Sequence, residues 1–223
     1  VVQTEKSKTW LSKNLPNKDV AVIPNPVLYP LPEHGRSASP ESVILKNKKI
    51  ILASGRLHKV KQFDLLIKAF SNIKDNHPNW DLVILGDGEE KNNLNQLVCN
   101  LELVDRVFFP GKVGNMSQWY DRANIFVLSS VVEGFPNVLL EAMSHGLPSI
   151  SFDCNTGPRD MIKDGLNGIL VNPEKRDLGL ENAMKELITN QALRNKFSQN
   201  SILLRDEYSK RNIMKKWDKA ISL

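Results

Sequence analysis

The chain has 223 residues, 41% apolar and 25% charged, with 30 Lys and Arg against 25 Asp and Glu for a net charge of +5. That length buries one good core with appendages. No apolar stretch approaches the roughly 20 residues of a membrane span and no signal peptide opens the sequence, so a cytoplasmic location is expected. The modest positive balance agrees with an anionic nucleotide or an anionic bilayer as neighbour, and no basic motif interleaved with aromatics points to nucleic acid. Cys99 and Cys154 lack metal-ligand spacing and have apolar surroundings, the pattern of buried free thiols.

Residues 1–27 read as the end of something else: a helix from Glu5 to Leu15, a strand Val20-Ala-Val-Ile23, and a stop at Pro24-Asn25-Pro26. A start on this pattern, without methionine or a preceding strand, is what a piece of a longer protein would give. Residues 28–48 contain a stretch, Tyr29 to Pro40, rich in Pro, Ser and Gly, which reads as a hinge or linker.

From Lys49 onward, short apolar runs alternate with helical periods. Ile50 to Ala53 is followed by Phe63, Leu66, Ile67, Phe70 and Ile73 on one helical face. Leu82 to Leu85 is followed by Leu94, Leu97, Val98 and Leu101. Val107 to Phe109 precedes a short helix with Met116, Trp119 and Tyr120, and Ile125 to Leu128 precedes a helix bearing Glu141. Ser149 to Phe152 and Gly168 to Val171 complete the set. Alternation of this kind predicts an α/β domain with a doubly wound parallel sheet, which binds ligands beyond the carboxyl ends of its strands. Helices are expected over Asp177 to Ile188, Leu193 to Tyr208 and Asn212 to Ile221. In the last, Ile213, Trp217 and Ile221 form a stripe beside five basic residues, read first as packing on the protein itself and second as contact with an anionic membrane.

Three segments could carry chemistry. After the first strand, Gly55 permits close backbone approach, and Arg56 with Lys61 supplies two cations where a diphosphate would sit. Leu85-Gly86-Asp87-Gly88-Glu89 is a glycine turn that fails as a dinucleotide fingerprint because Lys91 replaces the last glycine. The run Glu133-Gly-Phe-Pro-Asn-Val-Leu-Leu-Glu141 sets two carboxylates around a turn, with Pro136 suited to the opening of a helix. Its N-terminal N–H groups would attract a phosphate, and Glu141, about one turn in, could accept from two adjacent hydroxyls of a ribose or sugar. No D-x-D motif or metal-spaced histidine accompanies them.

This Glu133/Glu141 spacing resembles the E-x7-E element of the retaining glycosyltransferases of family 4, which have the GT-B fold. Gly55-Arg56-Leu57 with Lys61 resembles their phosphate-binding element, except that Gln62 stands where that family often has glycine. Asn155-Thr-Gly-Pro-Arg and Asp164-Gly-Leu-Asn-Gly168 resemble the branch that builds bacterial cell-surface polysaccharides, O-antigen and capsule among them. The resemblance implies two Rossmann-like domains, of which 1–27 would be the tail of the acceptor domain, 28–48 the hinge, 49–208 the donor domain, and 209–223 a final helix crossing back. It further implies that Arg56 and Lys61 hold the diphosphate without a metal and that Glu133 holds donor-sugar hydroxyls. Gly134, Phe135, Pro136, Asn137 and Val138 would seat sugar and phosphate, Glu141 the ribose, and Gly55, Gly86, Lys112 and Val113 the rest of the nucleotide. The implied reaction transfers a hexose or N-acetylhexosamine from a UDP-sugar, with retention, to a lipid-linked saccharide at the inner face of the membrane, and it needs no cofactor. Two rivals stand beside it: a non-catalytic nucleotide-sugar-binding module, and a sugar-nucleotide epimerase of similar fold, whose chemistry needs acid and base groups that no residues here supply.

Overall fold

The computed structural model describes residues 1–15 and 19–222. The six apolar runs form strands β1 (Lys49–Ser54), β2 (Trp80–Leu85), β3 (Val107–Gly111), β4 (Ile125–Leu128), β5 (Ser149–Phe152) and β6 (Gly168–Val171). All pair in parallel, in the order β3-β2-β1-β4-β5-β6. Strands buried on both faces have no solvent side to pattern, which is why β2, β4 and β5 read as continuous runs instead of alternating ones.

Alternate residues of each strand serve two cores. One face carries Ile51, Ala53, Leu82, Ile84 and Val127 against helices α2 (Phe63–Ser71), α3 (Lys91–Asn100) and α7 (Arg176–Thr189). The other carries Ile50, Leu52, Val83, Leu85 and Phe126 against α4 (Met116–Arg122), α5 (Asn137–Ser144) and α9 (Leu204–Glu207). Each large apolar side chain so buried contributes about 1.5–3 kcal/mol before entropy is subtracted. Asp81, buried in β2, is compensated by Arg106, whose Nε donates to its carboxylate at 2.8 Å. The remaining helices are α1 (Glu5–Asn14), α6 (Pro158–Met161), α8 (Gln191–Ser201) and α10 (Lys210–Ile221). No helix among the described residues is long and apolar enough to cross a membrane.

Four expectations need correction. Residues 20–23 form no strand: Val22 makes a single bridge to Val2, through Val2 N–H to Ala21 O and Ile23 N–H to Val2 O. Pairing stops there because Thr4 caps α1 and turns its own segment into helix. The helix expected from Leu193 to Tyr208 is broken into α8 and α9 at Ile202 and Leu203, beside Ser201, whose hydroxyl donates to Asn167 O. In the stripe of α10 only Ile213 is packed; Trp217 is 38% and Ile221 75% exposed. Cys99 is exposed, one step around α3 from the buried Val98, whereas Cys154 is buried.

Residues 31–38 of the stretch read as a linker lie along the β3–α4 turn. His34 N–H donates to Gly114 O at 3.0 Å and Gly114 N–H to Arg36 O at 2.7 Å. The buried Asn115 side chain takes the N–H of Ala38 at 3.1 Å and donates to its carbonyl at 3.0 Å, and Trp119 Nε1 donates to the same carbonyl at 2.9 Å. Glycine at 114 is required by this strap, since a Cβ there would lie 1.3 Å from His34 O.

Gln62, at the start of α2, has φ 50° and ψ 37°, the left-handed region. An L side chain there costs roughly 1–2 kcal/mol, which accounts for the preference for glycine at this place. Gln62→Gly is expected to raise stability by up to about 1 kcal/mol after the added freedom of the unfolded chain is subtracted, read as an increase in the midpoint of urea unfolding.

Candidate functional site

The strand order reverses direction between β1 and β4, the switch point beyond whose strand ends open α/β sheets bind ligands, and a crevice lies there. After β1 the chain makes a 3-10 turn, Lys59–Lys61, capped by His58 Nδ1 accepting from Val60 N–H at 3.2 Å. That turn brings Lys61 back over Gly55, where a Cβ would meet Lys61 Cε at 3.3 Å. The β4–α5 loop is tied to the same turn: Ser129 Oγ donates to Lys61 O at 2.7 Å and Val131 N–H to Val60 O at 3.1 Å. With both loops held, Lys61 Nζ donates to Glu133 Oε1 at 2.6 Å, the two side chains 21% and 11% exposed. Thr156 Oγ1 donates to the Glu133 carbonyl. Two residues 72 positions apart are thereby joined as an ion pair beside Gly55, at the edge of the crevice.

Pro136 stands one place before the first residue of α5 rather than inside its opening turn. Its carbonyl accepts from Leu139 and Leu140 N–H, and the N–H groups of Asn137 and Val138 belong to the open end of the helix. Gly157 supports this turn closely: a Cβ there would come within 2.5 Å of Pro136 Cδ and 2.8 Å of Gly134 O.

Two cavities lie along the crevice and share Val113 and Met116. The larger, about 920 Å³, takes in Gly55, Arg56, Gly86, Glu89 and Lys112. The other, about 610 Å³, takes in Asn137 and Glu141, with Asn25, Leu31 and His34 forming its far wall. Lys61, Glu133, Gly134, Phe135, Pro136 and Val138 line neither; Phe135 is turned into the core, its ring 6.1 Å from that of Tyr208. Arg56 is 72% exposed, with Nε 3.3 Å from Glu89 Oε2, while His58 Nε2 lies 3.3 Å from the other oxygen of that carboxylate. Gly86 must be glycine, because a Cβ there would fall 1.9 Å from Gly55 O.

Glu141 lies half-buried on α5 and accepts from Tyr120 Oη at 3.0 Å on its Oε2. Burial raises its carboxyl above the usual range, opposed by the Tyr120 hydrogen bond and by His145. Asn25 Nδ2 donates to Asn137 Oδ1 at 2.9 Å. Sequence reasoning assigned no role to Tyr120, Asn25, Met116 or His34. Tyr120 was hidden by its place on an apolar helix face, and only its hydroxyl, needing a partner when buried, hints at more. The rigid Pro24-Asn25-Pro26 run was the available signal for Asn25.

A Rossmann-like parallel sheet whose cations, glycine turns and helix N-terminus gather at one strand-end crevice has the form of a nucleotide-binding α/β domain. Residues 36–203 match the model of the family described as "Glycosyl transferases group 1", and the chain belongs to that family. It is 30% identical to the amylovoran biosynthesis glycosyltransferase AmsD of Erwinia amylovora over 222 residues, covering all of this chain and 61% of the relative. It is 33% identical over 159 residues, 70% of this chain and 42% of the relative, to the N-acetylgalactosamine-N,N'-diacetylbacillosaminyl-diphospho-undecaprenol 4-alpha-N-acetylgalactosaminyltransferase of Campylobacter jejuni. In fold it superposes with a TM-score of 0.84 and 23% identity on a mutant of S. aureus TarM solved with fondaparinux, alpha-GlcNAc-glycerol and UDP, covering 98% of this chain and 42% of that one. The chain thus spans about three fifths or less of the proteins it matches.

Cys154 is buried in the core on the α2 and α7 side of the sheet, its Sγ donating to Ser130 O at 2.8 Å, and burial pushes its thiol up to about 11, with Glu133 and Asp153 adding to the effect. Thiolate is the reactive form. At pH 8 a brief exposure to iodoacetamide is therefore expected to label Cys99 alone in the folded protein and both cysteines after unfolding, counted by mass spectrometry.

Proposed function

We propose that this chain is the donor-binding part of a retaining glycosyltransferase that uses a UDP-sugar. The observation that carries the reading is the Lys61–Glu133 pair, a cation suited to a phosphate and an acid suited to sugar hydroxyls, 2.6 Å apart beside Gly55. In the reading, an incoming diphosphate takes Lys61 from Glu133, Arg56 leaves the exposed Glu89 to join it, and the N–H groups at the start of α5 complete the phosphate cradle. Glu133, released from its partner, receives hydroxyls of the sugar. Glu141 receives the ribose, and the turns at Gly86 and Lys112–Val113 face the base. Segments 1–27, 28–48, 49–208 and 209–223 then act as acceptor-domain tail, hinge, donor domain and returning helix.

Catalysis in this scheme is leaving-group stabilisation. As the bond from the anomeric carbon to the diphosphate oxygen breaks, negative charge grows on the diphosphate beside Arg56 and Lys61, which stabilise it more than they stabilise the ground state. The acceptor oxygen bonds to the same face of that carbon, and its proton passes to the departing phosphate oxygen, giving an α-linked product. No protein nucleophile is needed. By analogy with other charge-stabilising groups, each cation supplies about 2.7–4 kcal/mol of the barrier reduction. With two cations at the diphosphate the scheme assigns no metal.

The printed names of relatives support the wider reading. One acts on a diphospho-undecaprenol acceptor and one belongs to amylovoran biosynthesis, and the TarM complex contains UDP. We therefore assign a hexose or N-acetylhexosamine as the transferred group and a lipid-linked saccharide as acceptor, in bacterial surface polysaccharide or lipopolysaccharide synthesis, at the cytoplasmic face of the membrane.

Calorimetric titration of UDP, GDP and ADP without divalent metal tests the donor assignment. UDP is expected to bind preferentially, and Arg56→Ala and Glu141→Ala are each expected to weaken it by about tenfold or more, the worth of a charge-assisted hydrogen bond. Equal binding of all three nucleotides, with neither substitution mattering, would overturn the reading.

A further inference from the structure

We propose that Tyr120 is a positioning residue of this site: its hydroxyl anchors one oxygen of Glu141 so that the other addresses the cavity, and the pocket thereby selects a nucleotide with an intact ribose diol. The proposal rests on the donor reading above and adds to it a residue outside the Glu133–Glu141 run.

Geometry leaves the Tyr120 proton little choice. Its oxygen is 3.0 Å from Glu141 Oε2 and 3.4 Å from Val138 O. A single proton goes to the nearer and charged acceptor, the stronger of the two bonds. The ring cannot turn away, because it is 1% exposed and wedged between Phe126 at 6.0 Å, edge to face, and His145 at 5.4 Å. His145 is itself fixed, with Nδ1 2.7 Å from Asp121 Oδ1 and the Tyr29 ring 4.8 Å away. A chain of contacts through the buried Tyr120 and His145 side chains therefore ends on one carboxylate oxygen.

That anchoring matters because Glu141 is the acidic side chain lining the 610 Å³ cavity. A carboxylate free to rotate would spread its lone pairs over several directions and lose orientational entropy on binding. One held at Oε2 presents Oε1 in a single direction. A ribose offers two adjacent hydroxyl donors to such an acceptor, and a dideoxyribose offers none. A buried acceptor left without its donor gives strong discrimination, as with other sites built to bind a hydroxyl.

The test compares UDP with 2′,3′-dideoxy-UDP by calorimetry on the full chain, for wild type, Tyr120→Phe, Glu141→Gln, their double variant and Glu141→Ala. Wild type is expected to prefer UDP by about tenfold. Tyr120→Phe, which keeps the ring, is expected to bring that preference to about twofold or less, by weakening UDP while leaving the dideoxy compound nearly unchanged. In the Glu141→Gln background the same substitution is expected to change UDP affinity by less than about twofold, since residues acting through one another are not additive. An unchanged preference in Tyr120→Phe overturns the proposal, as does an equal loss for both nucleotides that persists in the double variant. A preference that survives Glu141→Ala, which leaves no acceptor at this position, overturns it independently of how Tyr120→Phe folds. Failure of wild type to bind UDP at all would instead remove the donor reading on which the proposal stands.

Discussion

The pairing of β1 with β4 is the constraint on which the rest of the molecule depends. It joins Ile51 to Ile125 and Leu52 to Phe126, and a bond from Ile50 N–H to the Asn124 side chain, across 74 positions, locks the register. Because β2 and β3 are added on one side and β5 and β6 on the other, β1 and β4 form the switch point, and the crevice lies beyond the carboxyl ends of the strands, bounded by the loops after β1, β2 and β3 and by the start of α5. The strand-end cations, Glu133 and the glycine turns hang from the loops after β1 and β4 or from the turns beside them, while Tyr120 and Glu141 are carried by α4 and α5. The register matters as much as the order: a slip of one residue would turn the face bearing Leu52 and Phe126 toward the wrong core and carry Lys61 away from Glu133.

The ion pair at the edge of the crevice stands on different energetic ground from the surface pairs around it. Arg56 with Glu89 is solvated on both sides, and such pairs contribute little. Lys61 and Glu133 are largely withdrawn from water, so each compensates the desolvation of the other, and their separation would leave a poorly solvated charge on both sides. A ligand that offers anionic oxygens to one and hydroxyls to the other can replace that mutual compensation, whereas a neutral or purely apolar molecule cannot. The pair thus narrows the chemistry the crevice accepts before any contact with a nucleobase is considered.

Much of this arrangement was legible in the sequence, and the reasons are local. Strands buried on both faces announce themselves as apolar runs, and helices with one buried face announce themselves by spacing, so the six strands of the sheet and the helices α2 to α5 could be read directly. The positions of Gly55, Arg56, Lys61 and Glu133 in the loops after strands, and of Glu141 about one turn into a helix, followed from the same reading. What could not be read were contacts made by tertiary pairing. Val20 to Ile23 has the composition of a strand but finds only Val2 beside it. Tyr120 looks like any core residue until the hydroxyl is traced to Glu141. Trp217 and Ile221 lie on a stripe whose partner is not specified by the helix that bears it. The Pro- and Ser-rich stretch reads as a free linker because composition cannot reveal that Asn115 and Trp119, far along the chain, hold Ala38.

That strap changes where the folded unit begins. The family match opens at residue 36, yet Leu31 and His34 wall the smaller cavity and Asn25 touches Asn137 at the opening of α5. Val27, buried in the same core as Leu139, is tied through its N–H to Tyr208 O at 2.8 Å. A polypeptide trimmed to the family boundary would keep the sheet and its strand-end cations but lose one wall of the pocket and expose the apolar patch that Val27 covers. The family match marks the framework of the sheet, whereas the contacts that complete the pocket reach upstream of it as far as Asn25.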